Sequence, residues 1–222
     1  MIRRGRWLRL VALGGLVATS LAMGTARAAT SADKEGLLAL GSSAPDFHLP
    51  DVVSGKIVSR DDFIGKKALL VIFICRHCPY VTQMKQGLVQ LAKDYATKGL
   101  AVVAISANDP TGVPEDAPDR LKAMALEEHF TFPYLYDESQ GTAKAYTAIC
   151  TPDPFLFDRH RRLVYRGQFD DSRPGSVTPV TGNDLRAAID AALADQPVSA
   201  TQAPSVGCSI KWQPGHEPAY AR

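Results

Sequence analysis

The stretch ALLVIFICRHCPYV, residues 68–81, decides how the rest of the chain is read. Its first eight residues are an unbroken apolar run of strand length, bounded by Lys67 and two cysteines. A run that does not alternate suits a central strand covered on both faces. After Cys78 the apolar residues Val81, Met84, Leu88, Leu91 and Tyr95 recur at helical spacing, and Gly99 follows as a stop signal. Cys75 therefore stands where a buried strand hands over to a helix, with Cys78 in the first turn of that helix. Pro79 fits there because the first helical N–H has no partner to lose.

The same reading extends in both directions. Residues 41–51 and 55–67 form two short extended pieces with Gly55 in the turn, and Asp61-Asp62-Phe63 forms one helical turn. Beyond the motif, 100–107 is a second buried strand, 119–130 a helix, FPYLYDE a strand and SQGTAKAYTAI a helix. PFLFDRHRRLVYRGQF gives two strands joined near Arg159-His160, and 181–196 is a last helix with Thr181 or Asn183 as its cap. The order β-α-β-α-β-α-β-β-α specifies an α/β domain on a central sheet that ends in a hairpin. Residues 41–196 make this domain. Prolines 197, 204, 214 and 218 make 197–222 an extended tail, and Cys208 and Trp212 within it predict that the tail packs on the domain.

The first 28 residues read differently. Arg3, Arg4, Arg6 and Arg9 precede an apolar run from Leu10 to Met23, and Ala26-Arg27-Ala28 follows. This is the pattern of a cleaved secretory signal, with 29–40 as a flexible leader. The apolar run is shorter than the ~20 residues a spanning helix needs, so no stable membrane insertion is expected after cleavage. Cleavage would remove five of the 25 basic residues and none of the 23 acidic ones, leaving a formal charge of −3. No basic patch remains for a nucleic-acid partner. The expected location is periplasmic or secreted, where thiols meet an oxidising environment.

Unpaired N–H groups and the positive end of a helix dipole favour a thiolate at the start of the helix. Arg76 and His77 between the sulfurs add positive charge, and a stabilised reduced form makes such a couple more oxidising. Cys75 is thus the candidate nucleophile.

ICRHCPYV after a buried strand, PDFHLPD before it and TPDPFLFD some seventy residues later resemble the thioredoxin superfamily, closest to its exported redoxin or peroxiredoxin-like branch. The resemblance spans about residues 37–195, and GCSIKW is similar to that branch's C-terminal segment. It implies a thioredoxin fold, a central mixed sheet flanked by helices, here with an N-terminal extension and an extended C-terminal tail. It also implies that Cys75 attacks, that Cys78 resolves the mixed disulfide, and that Pro152 is a cis-proline facing them. Thr151 would lend backbone hydrogen bonds to an incoming peptide or thiol. The Arg-His pair between the cysteines matches neither the Gly-Pro of thioredoxin nor the Pro-His of oxidising periplasmic enzymes. Peroxiredoxins carry P-x-x-x-[T/S]-x-x-C, whereas Ile72 and Ala68 stand three and seven residues before Cys75.

The chemistry expected is thiol-disulfide exchange with protein or small thiol substrates and an electron donor or acceptor, without a bound cofactor. A thiol-dependent peroxidase is an alternative. Cys150 precedes Thr151-Pro152 and Cys208 lies on a tail able to reach back. Three readings stay open: a structural Cys150–Cys208 disulfide, Cys150 as a further redox thiol at the substrate groove, or two inert buried thiols. Cys75, Cys78, Cys150 and His77 could instead offer soft ligands to copper, which would make the chain a binding protein.

Overall fold

In a computed structural model, residues 36–221 and Met1 are described. The expected signal peptide and most of the leader lie outside these residues. No described helix is long and apolar enough to cross a membrane.

The apolar run forms β3 (Ala68–Phe73), and every residue in it is buried. It pairs parallel with β4 (Leu100–Ser106) and antiparallel with β7 (Asp153–Phe157). With β5 (Tyr134–Tyr136) and β8 (Leu163–Arg166) outside them, the five-stranded order is β5-β4-β3-β7-β8. A small antiparallel hairpin of β1 (His48–Pro50) and β2 (Ile57–Ser59) precedes this sheet. Strand periodicity divides the sides of β3. Leu70, Ile72 and Ile74 pack on one face with residues of α1 (Pro79–Tyr95), α2 (Pro118–Glu127) and α4 (Asn183–Leu193). Leu69, Val71 and Phe73 pack on the other with Phe47 and with Tyr146 of α3 (Gly141–Tyr146). Phe73, Tyr146 and Phe155 meet edge to face there. Both faces are covered, which is why β3 carries no polar residue. The mixed sheet flanked by helices is the thioredoxin fold.

Three boundaries differ from the sequence reading. The helix expected over 119–130 ends at Glu127, because His129 takes a left-handed φ of 57° and turns the chain out. The helix expected over SQGTAKAYTAI is only Gly141–Tyr146, since Gln140 (φ 61°) and Thr147 (φ 52°) stop it at both ends. The cap of α4 is neither Thr181 nor Asn183. Gly182 holds the N-cap position without a side-chain cap bond, and Asp170, from the preceding loop, accepts the N–H groups of Thr181 and Gly182, both at 2.7 Å.

The end of the leader is engaged with the domain: Leu38 donates its N–H to Thr147 Oγ1 at 2.8 Å, and Leu38 and Leu40 pack on the second cluster. The tail is bound along its length. Gln202 accepts the Arg166 N–H, and Ser205 donates to Asp153. β9 (Cys208–Ser209) pairs with β6 (Cys150–Thr151), and Lys211 donates its N–H to Asn108 Oδ1 at 2.9 Å. Ile210 is buried in the second cluster.

Candidate active site

Cys75 follows β3 at its carboxyl end, and Cys78 occupies the N-cap of α1 with Pro79 as the first helical residue. Both are 0% exposed. Thr151 holds them from across the groove: its hydroxyl lies 3.1 Å from Cys75 Sγ, and its carbonyl accepts from Cys78 Sγ at 3.1 Å. The Thr151–Pro152 peptide is cis, the isomer implied by the resemblance.

Contact with the Cys75 side chain is the main influence that favours the Cys78 anion and draws Cys78 down despite its burial, although in this structure Cys78 is the donor to the Thr151 carbonyl. The Cys208 side chain and the N–H groups of Val81 and Cys208 favour that anion in the same sense. Cys75 is pushed up for the matching reason, its contact with Cys78, then by burial and by the charge of Asp116. The sequence position placed the charge on Cys75, whereas its surroundings disfavour the Cys75 anion and favour that of Cys78. The Thr151 hydroxyl is the contact that favours the Cys75 anion.

His77 and Arg76 are held by Asp116, a residue that the sequence does not single out. Asp116 is fully buried and accepts the backbone N–H groups of Arg76 at 2.8 Å and His77 at 3.1 Å. Its Oδ2 lies 2.6 Å from His77 Nδ1 and 2.7 Å from the Asn108 side-chain amide that donates to it. His77 Nδ1 is also 3.5 Å from Cys75 Sγ. His77 Nδ1 is thus set between the Asp116 carboxylate and the Cys75 sulfur, with the closer contact to Asp116. The Arg76 guanidinium is engaged on α2, where it donates to the Arg120 carbonyl and pairs with Glu127 at 3.7 Å. The signal for Asn108 was its position just past β4, beside the strand end that carries Cys75. For Asp116 the signal was only an acid set between two prolines.

Of the three readings of Cys150 and Cys208, the disulfide is not formed in this structure, where all four cysteines are free. The ladder gives the reason. Cys208 stands opposite Thr151 and Cys150 opposite Ser209, and neighbours along a strand point to opposite faces. Cys208 therefore shares the face of Thr151 and meets Cys78, while Cys150 Sγ turns back to the Pro152 carbonyl at 3.5 Å. Burial, then the charge of Asp153, pushes the Cys150 thiol far up. Buried against the Pro152 carbonyl and without a hydrogen bond to Cys75 or Cys78, this thiol suits the inert reading better than a redox role.

The copper set changes in the same way. Ligand atoms of Cys75, His77 and Asp116 lie within 4.8 Å of one another, and Cys150 is not among them. One thiol, one imidazole and one carboxylate make a harder set than Cu(I) prefers.

An open groove lined by His77, Pro79, Thr82, Gln83 and residues 174–176 runs past the pair. Beside it a narrower cleft is lined by Tyr80, Gln83, Met84 and Pro152. Gln83 Oε1 is buried between them without a hydrogen-bond partner. The site thus offers two coupled thiols, a fixed hydroxyl and a groove for an extended chain.

This chain is 52% identical to a structurally solved hypothetical protein from Sinorhizobium meliloti, with a TM-score of 0.78, over 80% of this chain and 97% of that one. It is 24% identical over 162 residues to the thiol-disulfide oxidoreductase ResA of Halalkalibacterium halodurans, 73% of this chain and 85% of that protein. A Mycobacterium tuberculosis protein named as a candidate peroxiredoxin is 30% identical over 108 residues, 49% of this chain and 63% of that protein. The chain spans less than two thirds of the length of the first curated relatives it matches. The pattern of the AhpC/TSA family matches residues 40–166, more than half the chain. Together with the sheet order, this shows that the chain belongs to the AhpC/TSA family, as a peroxiredoxin-like member of the thioredoxin superfamily.

Proposed function

We propose that the chain is an exported thiol-disulfide oxidoreductase whose redox centre is Cys75–Cys78 and which needs no bound cofactor. The observation that carries this reading is Thr151, which touches one sulfur with its hydroxyl and the other with its carbonyl. That contact holds the two thiols together beside a groove. In the reducing direction, Cys75 thiolate attacks one sulfur of a substrate disulfide. The Cys75–substrate bond forms, the substrate S–S bond breaks, and its second sulfur leaves as a thiolate. Cys78 thiolate then attacks Cys75 Sγ and releases the first substrate sulfur. The pair has lost two electrons and the substrate has gained them; the reverse order oxidises a dithiol. His77 and Asp116 hold the loop between the sulfurs, and the groove beside Pro79 and Thr82 suits an extended peptide.

Export rests on the basic and apolar pattern of residues 1–28. The test is a redox titration of residues 29–222 in glutathione buffers, with thiols trapped and located by mass spectrometry. Reversible loss of the Cys75 and Cys78 thiols together is the expected result. Failure of that pair to cycle removes the reading.

A second reading draws on the same hydroxyl. The Thr or Ser that peroxidatic sites carry before their cysteine is missing from β3, yet Thr151 Oγ1 stands 3.1 Å from Cys75 Sγ from another strand. Hydroperoxide consumption with a thiol donor, lost in Cys75→Ser, would favour a peroxidase. Copper remains as a third outcome of the titration: protection of Cys75 from alkylation by added Cu(I) would point to it.

A further inference from the structure

We propose that Cys208 is a third redox-active thiol that takes the disulfide from the buried pair as a Cys78–Cys208 bond and carries it to the surface. The proposal rests on the exchange reading above and adds a route to a centre that is closed to solvent. Cys75 and Cys78 are 0% exposed, whereas Cys208 is partly exposed. It stands opposite Thr151 in the β6–β9 ladder, the Thr151 carbonyl is 3.1 Å from Cys78 Sγ, and Cys208 packs on the cluster that holds Cys75 and Cys78.

The tail is built to hold this contact. Gly207 lies so close to the cis-proline turn that an added Cβ would sit 2.6 Å from the Thr151 carbonyl carbon and nearer still to its oxygen. Only a residue without a side chain lets the backbone enter there. On one side Ser205 is bonded to Asp153 at 2.6 Å, and on the other Ile210 is buried and the Lys211 N–H is bonded to Asn108. Asn108 in turn bonds Asp116, so the tail and the loop between the sulfurs hang on one network.

The step moves no net electrons. Cys208 thiolate attacks Cys78 Sγ in the Cys75–Cys78 disulfide. The Cys78–Cys208 bond forms, the Cys75–Cys78 bond breaks, and the electron pair leaves on Cys75, which takes up the proton that Cys208 gave up. The Thr151 hydroxyl receives the departing sulfur. One sulfur of an external dithiol then attacks Cys208 Sγ and expels Cys78; the dithiol's second sulfur attacks the first and expels Cys208, so that the external dithiol leaves as a disulfide and the three cysteines are left reduced. A thiol of low pKa leaves faster, and Cys78 is the one that its N–H donors stabilise as the anion.

The test uses the Cys75→Ser chain, oxidised in glutathione buffers, alkylated, digested and mapped by mass spectrometry. A linked Cys78–Cys208 peptide as the main oxidised product is expected. Cys78 left free, glutathionylated or joined to Cys150 overturns the relay. Should that variant fail to fold, Cys208→Ser gives a second reading. The relay predicts that reduction of its Cys75–Cys78 bond by dithiothreitol is slower than in the unaltered chain by about tenfold, because the pair is then reached only by local opening. An unchanged rate overturns it. If Cys75 and Cys78 of the unaltered chain fail to cycle, the exchange reading itself has failed; if they cycle but Cys78 and Cys208 do not link, only the relay has.

Discussion

Asp116 grips His77 at two points, 2.6 Å from the ring Nδ1 and 3.1 Å from the backbone N–H. The carboxylate has no solvent contact, so it fixes the loop between the sulfurs and at the same time sets a negative charge against Cys75. Replacing Asp116 with Asn removes that charge and weakens both grips. Bonds to a charged acceptor contribute about 1.5–3 kcal/mol, and the variant should lose stability on that order. Its Cys75 thiol should titrate lower, and a better stabilised thiolate makes the couple more oxidising. Alkylation rates measured against pH, with a glutathione titration beside them, check this. An unchanged or higher Cys75 titration would mean that Asp116 acts only as a structural anchor.

This same contact marks the limit of what the sequence discloses. β3, α1 and the Thr-Pro turn were legible because an unalternating apolar run, a helical stripe and a cysteine pair are local patterns. Asp116 lies 39 residues from His77, in a loop whose acids look like helix caps, so nothing local distinguishes it from Asp119. The roles of Cys150 and Cys208 stayed open for a related reason. Both cysteines were placed in the right neighbourhood, but a one-residue offset in a two-residue ladder decides which face each sulfur takes. Register of that kind is set by contacts distant in sequence, here Gly207 against Thr151. The cap of α4 was misplaced by one residue: Gly182 takes the N-cap, while Thr181 accepts the Asn183 N–H at 3.3 Å and Asp170 holds the turn before the helix.

Thr151→Val separates the two contacts of Thr151. The hydroxyl beside Cys75 is lost, while the backbone carbonyl facing Cys78 remains. Val suits a buried strand and leaves no new polar group unpaired, so Tm should move little. Cys75 loses the bond that favours its anion and should titrate higher. One bond of about 1 kcal/mol corresponds to a roughly five-fold slower exchange at neutral pH. Stopped-flow exchange with a small disulfide reads the rate, and equal rates in both chains would remove Thr151 from the chemistry.

Gly207→Ala tests the close approach of the tail. The added methyl cannot fit beside the Thr151 carbonyl without moving backbone, and overpacking of this kind costs about 1–3 kcal/mol. The expected result is a lower urea midpoint together with faster alkylation of Cys208, because the tail lifts from β6. A lower midpoint with unchanged Cys208 reactivity would show that the tail stays docked and the strain has gone elsewhere.

Asp170 gives the fold a defined acid dependence. Burial alone would raise its carboxyl, but the Ser172 hydroxyl and the N–H groups of Gly182, Thr181 and Ser172 outweigh it and hold the group below its usual value. A carboxylate lowered in the folded state adds stability above its unfolded pKa, about 3.9, and loses that contribution as pH falls through the folded value. Asp170→Asn keeps the side-chain size but gives up the charged acceptor at the start of α4. At pH 7 it should unfold at lower urea, by about 1–3 kcal/mol. The gap to the unaltered chain should narrow steadily below pH 4, where the native carboxylate is itself being protonated. Urea titrations at pH 7, 4 and 2.5 supply the comparison. A gap that stays constant across that range would show that the bonds to Asp170 act through geometry and not through its charge.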